Sequence, residues 1–278
     1  MPELPEVETV CRALRPILEG RSFAKIQCNR PDLRYPLPTD IEGELKGHII
    51  TRVRRRAKYI LIDFSHGLTL IGHLGMSGRV LIEPPSLSYT KPGSHDHVVF
   101  MTSHQYKLTL RDPRRFGFLL LKPTHRLESL PPFCSLGFEP LGDHFLITSK
   151  LHAALSNRAV SIKSALLNQQ IIAGLGNIYA SEALWQAKIS PLRLANTLSL
   201  EETKILLKEI NDVLTRAIAA GGSTLRDHVQ PNGDIGYFQH SFKAYNRANQ
   251  PCGHCQSTLL TKIIQSGRAT YYCKQCQQ

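Results

Sequence analysis

Several features that mark whole classes of protein are absent from this sequence of 278 residues. No stretch approaches the roughly 18 consecutive apolar residues of a membrane span, which excludes a helical membrane protein. The first eight residues are acidic and punctuated by proline, whereas a signal peptide begins with basic residues. No collagen repeat, low-complexity tract or internal repeat is present. We therefore expect a globular protein of the cytoplasm.

The common nucleotide-binding and hydrolytic motifs are missing too. There is no Walker loop, no H-E-x-x-H helix and no G-x-S-x-G turn. Gly174 and Gly176 look like the start of a dinucleotide loop, but Tyr179 stands where the third glycine belongs. Two interpretations remain open for this segment: a structural turn between helices, or a turn at which Asn177 and backbone amides approach a phosphate.

Acidic residues are few relative to basic ones. The chain has 34 Lys and Arg against 22 Asp and Glu, which gives a formal net charge of +12. Such an excess predicts a polyanionic partner, either nucleic acid or an anionic membrane surface. The charge alone does not distinguish these partners.

Two dense basic clusters indicate where such a partner binds. If residues 52–58 form a strand, the basic side chains at alternate positions share one face. The second cluster, at 112–116, ends in an aromatic residue, Phe116. An exposed aromatic beside arginines suits insertion into a base stack, although a buried core position is the ordinary alternative. The basic residues concerned are Arg52, Arg54, Arg56, Lys58, Arg114 and Arg115.

The first residues combine two carboxylates with a latent amine. Glu3 and Glu6 are three positions apart at a helix start, where the helix dipole alone favours acidic residues. If Met1 is removed, Pro2 exposes a secondary amine, and an ordinary α-amino pKa of about 7.7 to 8.0 leaves a reactive neutral fraction near neutral pH. A nucleophile beside two carboxylates is therefore one interpretation, and an ordinary helix start is the other.

Cysteine spacing predicts a metal site. Seven cysteines are an odd number, which argues against a disulfide framework. The last four form two C-x2-C pairs separated by 17 residues, within the spacing of a four-thiolate zinc site. Four thiolates leave no open position for water or substrate, so we expect one structural Zn2+. The expected ligands are Cys252, Cys255, Cys273 and Cys276.

The first half of the chain begins with a helix and is otherwise rich in short β-type runs. Apolar residues recur every three or four positions from Leu4 to Leu18, and Pro16 and Gly20 are expected to help end this helix. Glycine and proline punctuate the following apolar runs, which predicts a β-sandwich or barrel. The expected strands are 23–28, 59–64, 68–73, 98–102, 106–110 and 116–121.

The second half is predominantly helical after a proline-rich stretch at 130–140. Its strongest helix is expected to begin at a capping box formed by Ser199 and Glu202 and to end at two glycines, 221 and 222. Between the cysteine pairs, a hairpin is expected with Gly267 at its turn and Arg268 presented to a phosphate. The other expected helices are 150–155, 162–168 and 178–187.

Several motifs together resemble those of the formamidopyrimidine-DNA glycosylases. They occur in order and span essentially the whole chain, so the resemblance is highly specific. The motifs are P-E-L-P-E-V-E-T from Pro2, H-L-G-M from His73, D-P-R-R-F-G from Asp112, G-L-G-N-I-Y-A-S-E from Gly174, G-G-S-T-L-R-D from Gly221, the segment 236–239 and the zinc tail.

The resemblance implies an α+β protein with an N-terminal β-sandwich and leading helix, a C-terminal helix-two-turns-helix domain and a zinc-finger hairpin. The implied division is a catalytic sandwich domain at 1–133, a linker at 134–150, a helical DNA-binding domain with a lesion loop at 151–240 and a zinc finger at 241–278. The implied activity is that of a bifunctional DNA glycosylase and abasic-site lyase, excising 8-oxoguanine and formamidopyrimidines. Duplex DNA with damaged bases or abasic sites is the implied partner of a monomeric, nucleoid-associated bacterial enzyme.

The resemblance also assigns chemical roles. Pro2 becomes the nucleophile that attacks the anomeric carbon and forms a Schiff base, and Glu3 becomes the proton donor. Lys58 becomes the donor for the first, β-elimination. Arg268 serves the second, δ-elimination or clamps a phosphate.

Three sets of residues are implied to bind DNA. The damaged base is bound by Glu6, Ser223 and Tyr237. The last two are the first and last residues of a loop that closes over the base. The gap left by an extruded nucleotide is filled by Met76, Arg114 and Phe116. The other implied contacts are His73, His95, Arg158, Lys163 and Asn177.

Two alternatives stay open beside this assignment. The related endonuclease VIII branch acts on oxidised pyrimidines, and it usually has glycine at the position of Leu4, which favours the purine branch here. A non-catalytic zinc-finger DNA-binding protein would lack the amine, whereas Pro2, Glu3 and Lys58 are all present. The chain also departs from the family pattern at Asn246, where glycine is common. Its zinc hairpin is about one residue longer than is usual in the family.

Overall fold

The computed structural model describes residues 1–85, 93–141, 144–223 and 236–278, without the side chains of 144–146. The chain folds into two compact units. One comprises Met1–Cys134 with Ala220–Tyr237, and the other comprises Ser135–Ala219 with Phe238–Gln278. The first unit is mainly antiparallel sheet and the second mainly helix, which confirms the expected α+β fold.

The first unit is a β-sandwich with a leading helix. Its elements are α1 (Leu4–Leu18), β1 (Phe23–Cys28), α2 (Ile41–Leu45), β2 (Ile50–Arg56), β3 (Tyr59–Phe64), β4 (Leu68–His73), β5 (Arg79–Glu83), β6 (Asp96–Thr102), β7 (Lys107–Arg111) and β8 (Phe118–Pro123). The two sheets have the orders β1-β6-β7-β5 and β2-β3-β4-β8, with all neighbours antiparallel. Apolar side chains of both sheets and both helices form one buried core.

Helix α1 follows the predicted periodicity. Val7, Val10 and Leu14 are buried on one face, as expected for an amphipathic helix packed on a sheet. Pro16 lies inside the helix rather than ending it. Its missing N–H costs one bond in the last turn, but Leu18 is fully buried and holds that turn against the core.

The first basic cluster differs from the expected strand face. Strand β2 pairs with β3, but its register shifts between Ile50 and Arg52. The strand ends at Arg56, Ala57 has a φ of +52°, and Lys58 lies in the turn before β3. The register is regular from Arg52 to Arg56, and the turn at 57–58 ends the alternation on which the prediction depended. The expectation that Lys58 shares a face with the arginines is therefore wrong; the turn instead buries this lysine.

The second unit contains four α-helices and a hairpin among its described residues. These are α3 (His144–Ser156), α4 (Ile162–Leu166), α5 (Asn177–Gln186), α6 (Leu200–Ala219), β9 (Thr261–Gln265) and β10 (Arg268–Tyr272). The capping box before α6 is confirmed, because Ser199 Oγ accepts from the Glu202 amide and Glu202 Oε2 accepts from the Ser199 amide. Gly267 has a φ of +72° at the predicted hairpin turn.

Among the described residues, no helix has both the length and the apolar character needed to cross a membrane.

Candidate active site and nucleic-acid interface

The start of α1 holds a buried pair of carboxylates. Glu3 and Glu6 are both almost fully buried, and Glu6 Oε2 accepts a hydrogen bond from the Glu3 amide at 2.9 Å. Glu6 Oε1 accepts from the amide and the hydroxyl of Ser223 at 2.8 and 2.9 Å. Pro2 is buried beside them, whereas Met1 is half exposed. Glu6 therefore fixes the residue next to Pro2 and, 217 positions away, the start of the predicted lesion loop.

A glycine makes the contact between Glu6 and this loop possible. Gly222 has a φ of +77°, and a Cβ there would lie 3.2 Å from Glu6 Cγ and Oε1. A side chain at this position would be strained and would push against the carboxylate. On the other side of the loop, Tyr237 pairs with Ser223 and has a 67% exposed side chain. The rest of the predicted loop, 224–235, lies outside the described residues.

Lys58 and His73 lie within electrostatic reach of each other. The His73 ring stacks on Phe118 with centroids 5.0 Å apart, and its Nδ1 accepts a hydrogen bond from the Gly75 amide. Burial, with smaller contributions from Lys58 and Arg34, lowers the pKa of His73 to about 4. The imidazole is thus neutral near pH 7, and its Nε2–H is a donor suited to a phosphate oxygen.

The loop at 112–117 is held by a fully buried carboxylate. Asp112 accepts from Ser77 Oγ at 2.6 Å and from the Gly117 amide at 2.8 Å, and Ser77 Oγ accepts from the Arg114 amide. The backbone of His95 joins the same network, since its carbonyl accepts from the Asp112 amide. The side chain of His95 is exposed. These bonds give the second basic cluster a defined backbone.

This loop and the neighbouring loop at 74–78 each present an apolar side chain to solvent. Phe116 is 43% exposed and Met76 is 41% exposed. The guanidinium of Arg114, itself exposed, lies over the Phe116 ring at 4.8 Å. Gly75, with a φ of +61°, brings the two loops together, because a Cβ there would lie 2.4 Å from Gly117 N. The structure therefore brings together the three residues predicted to fill a gap in DNA.

In the second unit, α4 and α5 converge on the hairpin. Lys163 Nζ donates to the Ala269 carbonyl at 2.9 Å and to Thr270 Oγ1 at 2.6 Å. Asn177 Nδ2 donates to the same Ala269 carbonyl at 2.9 Å. Asn177 Oδ1 is buried with no hydrogen-bond partner in the described part of the chain. Lys163 and Asn177, both predicted to contact DNA, thus donate hydrogen bonds to the strand β10 just after Arg268.

The two remaining predicted contacts of this unit are on its surface. Arg268 is exposed immediately after the hairpin glycine. Arg158 is exposed just after α3, with its Nε donating to the Ala154 carbonyl. Both guanidinium groups are accessible to an anion.

The four C-terminal cysteines are arranged for zinc. Their Sγ atoms all lie within 4.8 Å of one another, and two of the pairs are 3.8 Å apart. Zn–S bonds of about 2.3 Å in a tetrahedron require S···S edges of about 3.8 Å. The Cys276 amide also donates to Cys273 Sγ, as is typical of zinc knuckles. The donor set and its geometry therefore fit one structural Zn2+, bound by Cys252, Cys255, Cys273 and Cys276.

One residue that sequence reasoning missed is Glu182. This buried carboxylate of α5 accepts hydrogen bonds from three successive amides, those of residues 243–245, at 2.7 to 2.9 Å. Burial raises the pKa of Glu182, against the opposing effect of the three donors. An acidic residue among the apolar residues of α5 is the signal that could have identified it. The next residue, Asn246, has a φ of +60°, which explains why glycine is also suitable there.

The half-buried, neutral His73 should make stability depend on pH. In the unfolded chain His73 becomes protonated below its ordinary pKa of 6.5, whereas in the folded protein it becomes protonated only below about pH 4. The free energy of unfolding therefore has its full value, as far as His73 is concerned, above pH 6.5, and it decreases as the pH is lowered from 6.5 to about 4. We expect the melting temperature of His73→Gln to fall less over this range than that of the unsubstituted protein. His104→Gln, at an exposed turn, is the control; identical pH profiles for all three proteins would contradict a neutral His73.

Comparisons with known proteins agree with this arrangement. Residues 1–119 match the family model of the formamidopyrimidine-DNA glycosylase N-terminal domain, and 136–229 match that of the formamidopyrimidine-DNA glycosylase H2TH domain. The chain is 48% identical over 284 residues to the formamidopyrimidine-DNA glycosylase of Roseobacter denitrificans, with all of both chains covered. Its structure is similar to that of the MutM (Fpg) protein of Thermus thermophilus, with a TM-score of 0.86, 35% identity and coverage of 99% of this chain and 98% of that one. A MutM complex with DNA containing carbocyclic 8-oxo-G gives a TM-score of 0.85 and 34% identity, with both chains fully covered.

Proposed function

The chain belongs to the formamidopyrimidine-DNA glycosylase family, and from this premise we propose how it excises oxidised purines from duplex DNA. Its substrates are 8-oxoguanine and formamidopyrimidines, and it also cleaves the strand at the resulting abasic site. The observation that carries the proposal is the N-terminal arrangement. Pro2 and Glu3 are buried at the start of α1, and Glu6 fixes both the Glu3 amide and Ser223.

Base removal uses the amine of Pro2 after loss of Met1. The nitrogen lone pair attacks C1′ of the damaged nucleotide, and the glycosidic bond breaks with its electron pair leaving on the base, which takes up a proton. The nitrogen loses its proton, and Glu3 protonates O4′ as the sugar ring opens. The product is an iminium ion between Pro2 and C1′. A secondary amine gives no neutral imine, so the positive charge stays on the nitrogen.

Strand cleavage follows from this charge. The iminium acidifies the C2′ proton, and its loss lets the 3′ phosphate leave in the first elimination. We assign the proton-donor role in this step to Lys58, which the turn before β3 buries near His73. Arg268, exposed at the hairpin tip, is assigned to the second elimination or to a phosphate of the same strand.

DNA is held by contacts of two kinds. Phosphates are bound by the neutral donor His73, by His95, by Arg158, and by the region of the hairpin that Lys163 and Asn177 support. Met76, Arg114 and Phe116 occupy the space that the extruded nucleotide leaves, because unstacking a base costs a few kcal/mol unless other groups replace it. Glu6, Ser223 and Tyr237 bind the extruded base.

Phe116→Ala should separate extrusion from chemistry. We expect the single-turnover rate of 8-oxoguanine release from duplex DNA to fall about tenfold or more, because the void loses its aromatic filler. Cleavage of a preformed abasic site should fall much less, since no base needs extruding. Met101→Ala, at a half-buried position of β6 away from the loop, is the matched control.

Equal losses on both DNAs would contradict the role of Phe116, and they would indicate a folding defect if the melting temperature fell as well. A third duplex, carrying an oxidised pyrimidine, tests the substrate class. Faster release of that base than of 8-oxoguanine would favour the endonuclease VIII branch.

The domain limits at 1–133, 134–150, 151–240 and 241–278 are part of the proposal. The limit at 133 is supported by the end of the sandwich strands at Pro123 and by the division of the two compact units after Cys134, whereas α3 begins inside the proposed linker, at His144, and Ala220–Tyr237 belongs to the first unit. We further propose that the enzyme acts as a monomer in the bacterial cytoplasm on nucleoid DNA, which its charge of +12 favours.

A further inference from the structure

Trp185, the single tryptophan of the chain, lies against the zinc site without being a ligand. It belongs to the last turn of α5, is 3% exposed and shares an apolar cluster with Cys252 and Cys273. The ring of His254 stacks on the indole with centroids 3.8 Å apart and planes 20° apart. A Cβ at Gly253 would lie 3.6 Å from two carbons of the same indole. The first zinc knuckle, residues 252–255, is therefore packed onto this one side chain.

The indole N–H of Trp185 is buried in the same cluster as two of the zinc ligands. Its nitrogen is buried and has no hydrogen-bond partner among the residues that the structure describes. The apolar cluster around the indole includes Cys252 and Cys273, and their thiolates are the acceptors that the zinc site offers to this N–H. Sulfur is a large, soft acceptor, so such contacts are longer than N–H···O bonds. They strengthen when the sulfur is a thiolate, because the bond is then charge-assisted.

The second knuckle is attached to the same end of α5. The side chain of Gln277 accepts from the Cys273 amide at 2.8 Å and donates to the Ile189 carbonyl at 2.9 Å. The backbone of Gln278 exchanges hydrogen bonds with Lys188 and Ser190. Residues 185–190, which we call the α5 platform, thus contact both zinc knuckles.

A zinc ion with four thiolates carries a net charge of −2, and N–H donors around the sulfurs offset it. The donor to Cys273 named above, from Cys276, comes from within the finger. Trp185 instead brings a donor from a helix outside it. We propose that Trp185 is a positioning residue for the zinc site: its indole N–H donates to the Cys252 thiolate and its ring seats the first knuckle. Metal occupancy and the placement of α5 are thereby coupled.

The coupling has a consequence for DNA binding. Asn177 is the first residue of α5 and Trp185 lies eight residues later, about 12 Å along one helix. Asn177 also donates to the hairpin carbonyl of Ala269. The zinc site is therefore connected to the hairpin both through its own chain and through α5.

The presence of one tryptophan allows a test that removes only the N–H. Biosynthetic incorporation of benzothienylalanine replaces the indole nitrogen of Trp185 with sulfur and keeps the ring shape. We expect zinc transfer from this protein to a chromogenic chelator to be about tenfold faster or more, because outer contacts to metal ligands typically change affinity by 10- to 100-fold. With Co2+ in place of zinc, the thiolate-to-metal charge-transfer band should move to lower energy.

Two variants complete the experiment. Trp185→Phe keeps a ring for His254 and should resemble the analogue, whereas Trp185→Leu should release zinc faster still. Ile210→Val, in the buried face of α6, controls for general destabilisation of the unit. Zinc transfer and a Co2+ band that are unchanged in the benzothienyl protein would overturn the proposal, as would an Ile210→Val protein that releases zinc equally fast.

Discussion

Removal of zinc is expected to abolish binding to damaged duplex DNA while the β-sandwich stays folded. The hairpin β9–β10 is short. The four cysteines pack with only a few other apolar residues among those that the structure describes, so the apolar core around them is small. For such small modules, zinc binding supplies most of the folding free energy. Without the metal, the hairpin should lose its structure and Arg268 its fixed position. We expect affinity for a duplex with an abasic-site analogue to fall by about a hundredfold or more.

The measurement is a DNA-binding titration before and after chelation, with hydrogen exchange followed in each unit. Amides of β3 and β4 should stay protected, while those of β9 and β10 exchange freely. Cys273→Ser should reproduce the effect, and Cys28→Ser, at an exposed cysteine outside the zinc site, should leave binding intact. Zinc-free protein that binds DNA with unchanged affinity would show that the finger takes no part.

Local sequence patterns predicted most of the fold. Helix α1 was predictable because its apolar residues meet one core, and the capping box at Ser199 because both partners lie within one turn. Strand β5 was not predicted, since all five of its residues are half-buried and no alternation results. The position of Lys58 was predicted wrongly because β2 pairs with β3 through a turn at 57–58, which the run of basic residues does not encode.

The candidate site was less accessible to sequence reasoning. The zinc cysteines lie in two short motifs, so their spacing alone predicted the cluster. The bond from Ser223 to Glu6 joins residues 217 positions apart, and nothing local in either segment encodes it. The same is true of Trp185, whose contact with His254 depends on how α5 packs against the finger. The roles of the individual residues were predicted from the resemblance to the glycosylase family, because the spacing of residues in the sequence does not indicate them.

Blocking the N-terminus is expected to remove both activities. An extension before Pro2 converts its nitrogen into an amide, which has no nucleophilic lone pair. We expect base release and strand cleavage to fall to the uncatalysed background while binding to an abasic-site analogue is retained. The extension should carry a protease site that ends immediately before Pro2, so that cleavage restores the amine and the activity in the same preparation. Full activity of the uncleaved protein would rule out the Pro2 nitrogen as the nucleophile.

Lys58 is the rival nucleophile, because the amine of a buried lysine can also form a Schiff base. Substitutions at Pro2 and at Lys58 are expected to give different results. Pro2→Gly keeps an amine of altered basicity and geometry, so the covalent intermediate should form in lower yield. Lys58→Ala should still form it but cleave the strand more slowly, because only the elimination loses its proton donor.

Borohydride trapping tests the covalent mechanism most directly. The reductant is added while the enzyme acts on a duplex with 8-oxoguanine opposite cytosine, and the adduct is mapped by peptide mass. We expect a reduced enzyme–DNA adduct whose link lies on Pro2 with Met1 absent, and the same adduct from Lys58→Ala. A full-yield adduct on Lys58, or strand cleavage with no trappable intermediate, would contradict the mechanism.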